Sequence, residues 1–143
     1  MGRQKVAVCG SMRFIDKMRE WKDKLEIEGY EVYVPTLVDF HLVRDNEGNL
    51  EKFEEIKRRE TKKHFEKVEI ADILLVLNYD KNGRKDYIGG NTFGEIAYAV
   101  GLNYCHGKNI KIYTVNPLPR DSVFYEELSA WGVREWRSNL GDR

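Results

Sequence analysis

Cysteine is scarce in this chain of 143 residues: there are two, Cys9 and Cys105, and they share no metal-type spacing. A disulfide framework and a structural zinc site are therefore not expected, and both thiols should be reduced. Net charge is missing as well, since 24 Lys and Arg stand against 24 Asp and Glu. Nucleic-acid platforms lean on clustered basic side chains to neutralise phosphates, so a nucleic acid polymer is not an expected partner. Nor does any apolar run approach the ~20 residues of a membrane helix, which removes the membrane from the expected partners. The opening residues MGRQKVAVCG pass straight into a strand pattern, without a long apolar region or a small-residue cleavage site. A cytoplasmic chain is the expectation. Repeats, low-complexity tracts and linker compositions are also wanting, so residues 1–143 are expected to form one domain.

What is present is a hydrophobic fraction of 41%, enough to bury a core, and a charged fraction of 34% suited to surface ion-pair networks. Short β-type runs alternate with helical patterns, the mark of an α/β fold with a parallel sheet. Lys5 to Cys9 reads as a first strand closed by Gly10-Ser11, and Phe14, Met18, Trp21 and Leu25 recur at helical spacing up to Gly29. Glu31 to Pro35 reads as a second strand. A polar stretch from Arg44 to Asn49 leads into a long helical pattern ending near Ile70. From Arg44 to Glu69 eight basic and eight acidic side chains interleave, the pattern of a solvated, ion-paired helix. Asp72 to Leu77 is continuously apolar after its first residue, as a central parallel strand covered on both faces should be. Asn91 or Thr92 can cap the next helix; Ile110 to Val115, Phe124 to Ala130 and Val133 to Trp136 read as strand, short helix and strand.

Five parallel strands of this kind most simply form a doubly wound sheet in the order 2-1-3-4-5, whose ligands bind beyond the carboxyl ends of strands one and three. Two loops lie there. In Gly10-Ser11-Met12-Arg13, backbone N–H groups, a hydroxyl and a guanidinium can converge on an anion, or Ser11 can simply cap the helix. The second loop, Asn78 to Thr92, runs into the next helix through Ile88-Gly89-Gly90-Asn91-Thr92-Phe93-Gly94-Glu95. Its glycines admit a ligand to the backbone, and Glu95, placed in the first helical turn, either faces the cleft or complements the helix dipole. This is not the dinucleotide fingerprint, because glycine spacing and strand position both differ. Tyr79, Tyr87, Phe40 and Phe93 flank the cleft by topology, as stacking partners for a planar ligand or as core.

Four segments, Cys9 to Arg13, Ala71 to Leu77, Gly90 to Ala99 and Leu128 to Gly132, together resemble the nucleoside 2-deoxyribosyltransferase superfamily in order and separation along essentially the whole chain. The resemblance implies a flavodoxin-like fold and cleavage of an N-glycosidic bond by a glutamate that attacks the anomeric carbon, a role that Glu95 matches. Gly10-Ser11-Met12-Arg13 is similar to the phosphate loop of the deoxynucleoside 5′-monophosphate N-glycosidases, so Ser11 and Arg13 would hold a phosphate. Two positions depart from the pattern. Where an aspartate usually assists the leaving base, eight residues before Asp72, this chain has His64; where transferases often place an asparagine, it has Glu127. Thr61, His64, Phe65 and Val68 share one helical face, so His64 either points into the cleft or is a hydrogen-bonded core histidine. His64, Tyr98 and Asp86 are the candidates to replace the missing acid.

The expected catalytic pair is Glu95 and His64. The expected substrate-binding set is Gly10, Ser11, Met12, Arg13, Asn78, Gly89, Gly90, Asn91, Tyr98 and Glu127, with no metal ligand and no cofactor. A nucleoside or nucleoside monophosphate is the implied small-molecule partner, and the resemblance implies a homodimer or larger assembly with Glu127 and Trp131 near the contact. A non-catalytic nucleotide-sensing module is the alternative that His64 favours. The Ile88 to Glu95 stretch also resembles the phosphoribohydrolases with a Gly-Gly-x-x-Thr-x-x-Glu element, but no proline precedes Gly89 here.

Overall fold

The computed structural model describes residues 2–35 and 50–137, with backbone alone for 50–52. The elements follow in the order β1 (Lys5–Gly10), a 3-10 turn (Met12–Phe14), α1 (Ile15–Ile27), β2 (Glu31–Tyr33), α2 (Leu50–Ile70), β3 (Ile73–Leu77), α3 (Gly90–His106), β4 (Lys111–Thr114), α4 (Tyr125–Ala130) and β5 (Arg134–Glu135). The five strands are parallel in the order β2-β1-β3-β4-β5, the doubly wound arrangement expected from the alternation and the flavodoxin-like fold that the resemblance implied. Polar residues 44–49 and Phe40 lie outside the described residues.

Side-chain alternation along the strands divides the core in two. Val6 and Val8 of β1 and Ile73, Leu75 and Leu77 of β3 pack with Phe14, Met18 and Leu25 on the α1 face. Ala7, Cys9, Leu74 and Val76 point the other way and pack with Val68 of α2, Ile96, Ala99 and Val100 of α3, and Leu128 of α4. β3 is buried along its whole length, as its uninterrupted apolar run requires.

Small corrections fall at element ends. Neither Asn91 nor Thr92 caps α3; Gly89 occupies the N-cap position with no side-chain cap. The helix therefore starts earlier than expected, and Glu95 sits one turn inside it. The last strand is limited to Arg134–Glu135 and the second to Glu31–Tyr33.

β1 and β3 end side by side, with Gly10 opposite Leu77. A Cβ on Gly10 would stand 2.8 Å from the Leu77 carbonyl oxygen and 3.1 Å from the Leu77 Cβ. Only glycine lets the chain leave β1 against that backbone, which is why the loop after it can fold over the sheet.

Candidate active site

Beyond the ends of β1 and β3 a cavity of about 340 Å³ opens between the 10–12 turn, the β3–α3 loop, the start of α3 and one face of α2. That volume lies within the range of small-molecule sites. Glu95 and His64, each 5% exposed, form its floor.

α3 brings Glu95 there, because Ile96, Ala99 and Val100 bury the helix against the sheet and leave residue 95 turned to the cavity. α2 brings His64, since Val68, one turn later on the same face, is fully buried. The two side chains meet with His64 Nε2 2.8 Å from Glu95 Oε2, an ion-pair distance without the alignment of a hydrogen bond. His64 Nδ1 is buried and has no hydrogen-bond partner among the described residues. Asn91, freed from capping, donates from Nδ2 to Glu95 Oε1 at 3.1 Å. Beneath them lies Cys9, whose thiol is pushed well above its ordinary value by burial first, and then by the charge and hydrogen bond of Glu95.

The loop wall carries different chemistry. Ser11 Oγ accepts from the Arg13 backbone N–H at 3.2 Å, so the hydroxyl does cap the short turn. It also accepts from Lys81 Nζ at 3.1 Å. The Lys81 ammonium lies over the Tyr87 ring, 4.8 Å from its centroid. Burial, and then the neighbouring Arg13 charge, lower the affinity of Lys81 for its proton. No carboxylate pairs with it among the described residues. A cation repelled by another cation and lacking an acid is a place where a bound anion is stabilised.

Lys81 is absent from the site expected on sequence, although a signal for it was present. Asn82 and Gly83 both take positive φ, 51° and 78°, between Lys81 and Arg84, whose backbones bond mutually at 3.0 and 2.9 Å. That two-residue Asn-Gly turn folds the loop back as a small hairpin and returns Lys81 to Ser11. Lys57, Glu60 and Thr61 on α2 line the cavity as well, hidden in the sequence by the charge-rich pattern of the helix.

Of the expected residues, Gly10, Ser11, Met12, Gly89, Gly90, Asn91, Glu95 and His64 line this cavity. Arg13, Asn78, Tyr98 and Glu127 do not. Arg13 is exposed beside it, close enough to act on Lys81. Asn78 is fully buried and clamps the ends of β3 and β4, donating to the Asn116 and Pro117 carbonyls at 3.1 and 2.9 Å and accepting from the Asn116 N–H at 2.9 Å. The Tyr98 hydroxyl donates to Glu69, a bond that raises its proton affinity, and its ring stacks on Phe65 at 4.6 Å. Glu127 is exposed on α4. Asp86, whose carboxyl is raised chiefly by burial, stands outside the cavity too.

Among the flanking aromatics, Tyr87 lines the cavity. Tyr79 instead accepts from Trp21 Nε1 at 2.7 Å and meets Phe14 edge to face. Phe93 is stacked between Phe124 and Trp131.

No protein-family model matches the chain, and no curated protein matches it. Among solved structures it is similar to a 2-desoxiribosyltransferase from Leishmania mexicana, with a TM-score of 0.49 and 10% identity over 80% of this chain and 68% of that one. The described residues include no group of three or more metal-type side chains and no helix long and apolar enough to cross a membrane.

Chemically, the cavity joins a buried carboxylate, an imidazole touching it, and a hydroxyl and ammonium from the loops after β1 and β3. The first two can serve as a nucleophile or base with a proton carrier, and the last two can hold an anionic group.

Proposed function

We propose that the cavity binds a nucleoside 5′-monophosphate, or the nucleoside itself, and that Glu95 attacks C1′ of the pentose to break the N-glycosidic bond. The observation that carries this reading is the buried carboxylate of Glu95, held by Asn91 and touched by His64, lining one cavity with Ser11 and Lys81. Lys81 and Ser11, with Arg13 beside them, hold the phosphate. An oxygen of Glu95 forms an ester to C1′ while the electron pair of the C1′–N bond departs with the base, which takes a proton from the His64 imidazolium. The positive charge that builds on the pentose in the transition state is what the carboxylate stabilises. Water then attacks C1′, gives its proton to the neutral His64, and frees the pentose and Glu95. An incoming base in place of water yields transfer.

A second reading rests on the 2.8 Å contact between His64 and Glu95. An imidazolium that keeps one carboxylate oxygen neutralised leaves a site that binds the nucleotide without turning it over.

Incubation with each deoxynucleoside monophosphate, followed by chromatography for free base, tests both. Release in the wild type that disappears in Glu95→Ala supports the first reading, and release that survives this change overturns it. Calorimetric binding with no release, and activity gained in His64→Asp, supports the second.

A further inference from the structure

We propose that Glu60 selects among nucleobases, accepting a hydrogen bond from the exocyclic amine of cytosine or adenine. This rests on the cavity being a nucleoside site. The Glu60 side chain is 12% exposed, whereas Arg59 and Lys63, its ion-pair partners, are 57% and 52% exposed. Both cations stand 3.8 Å away, too far to hydrogen-bond. Together with the partly buried Lys67, whose charge also interacts with Glu60, they balance its charge and leave its oxygens unclaimed, and no donor among the described residues hydrogen-bonds to them. A carboxylate largely shielded from water, with open lone pairs, is stabilised by whatever ligand supplies donors.

The layout of the cavity indicates which ligand group does so. Glu95 and His64 form the floor, Ser11 and Lys81 stand on the loop wall, and Glu60 stands on the α2 wall with Thr61, Lys57 and Phe53. Glu60 stands four positions before His64, about 6 Å along the helix axis. A nucleotide runs phosphate, pentose, base. With its phosphate on the loop wall and C1′ over Glu95, its base meets the α2 wall. There an amine donates to Glu60, while the keto oxygen of uracil or hypoxanthine sets lone pairs against lone pairs. Flanked by Arg59, Lys63 and Lys67, Glu60 serves as acceptor, and the proton for the leaving base remains with His64.

The test compares matched pairs, dCMP with dUMP and dAMP with dIMP, in the wild type and in Glu60→Gln, an isosteric change whose amide offers acceptor and donor alike. Thermal unfolding confirms that the variant is folded. The wild type is expected to favour the amino member of each pair by about tenfold or more in kcat/KM, and Glu60→Gln to bring both ratios near one. Wild-type ratios near one, or ratios unchanged in the variant, would overturn the proposal. If the wild type releases no base, the catalytic reading fails by itself. The same ratios are then read as calorimetric Kd values: an amino preference lost in Glu60→Gln supports the selectivity role, and no preference or no binding removes it.

Discussion

Glu95 is surrounded by three side chains that come from three elements: Cys9 on β1, His64 on α2 and Asn91 on its own helix. Each acts on the carboxylate differently, by thiol contact below, by imidazole alongside and by amide donation above. Cys9 illustrates how one neighbourhood sets reactivity, since burial and the adjacent Glu95 both oppose its thiolate. At pH 8 iodoacetamide is expected to alkylate the exposed Cys105 and leave Cys9 untouched in the folded protein, with both modified in urea. Mass spectrometry counts the labels, and two labels in the native state would contradict the burial of Cys9 beneath Glu95. At this scale the sequence was ambiguous for a definite reason. Glu95, Ser11 and His64 each had a plain structural role open to them, and residue type does not say whether a side chain turns to a cavity. Asn78 shows the opposite outcome, a polar residue at the switch point whose hydrogen bonds are spent on tying two strand ends.

Element ends, more than element centres, shape the cavity. Gly10 lets β1 end against β3, and the Gly89 N-cap starts α3 early enough for Asn91 to reach Glu95 four residues on. Gly10→Ala would drive a Cβ into the Leu77 carbonyl at 2.8 Å, and neither strand can yield without loosening the central pair. A loss of about 1–3 kcal/mol is expected, read as a lower urea midpoint at unchanged slope. Stability equal to the wild type would mean that β1 and β3 do not approach so closely. The β3–α3 loop teaches a further point about legibility. Its Asn82-Gly83 pair is a hairpin signal, but the flanking residues do not alternate as strands do, so the turn that returns Lys81 to Ser11 stood out only in three dimensions.

Across the whole molecule, β3 joins the two halves of the core, with Ile73, Leu75 and Leu77 on the α1 face and Leu74 and Val76 on the other. Neither half can lose its packing without exposing the same strand. Urea unfolding followed by far-UV dichroism and by tryptophan fluorescence is therefore expected to give one coincident transition. Trp136 reports on the α1 side and Trp131 on the other. Two separated transitions would show that the faces melt independently.

The amino-acid order by itself determined the α/β class, the strand order and the two loops at the switch point. Those follow from hydrophobic period, run length and glycine placement, which act locally and repeat along the chain. Only the tertiary structure decided that His64 would touch Glu95, that Lys81 would meet Ser11, and that Glu60 would leave the solvated face of α2 for the cavity. Such meetings join residues distant in sequence, and they depend on how helices rotate as they settle on the sheet, an angle set by the packing of both core faces at once.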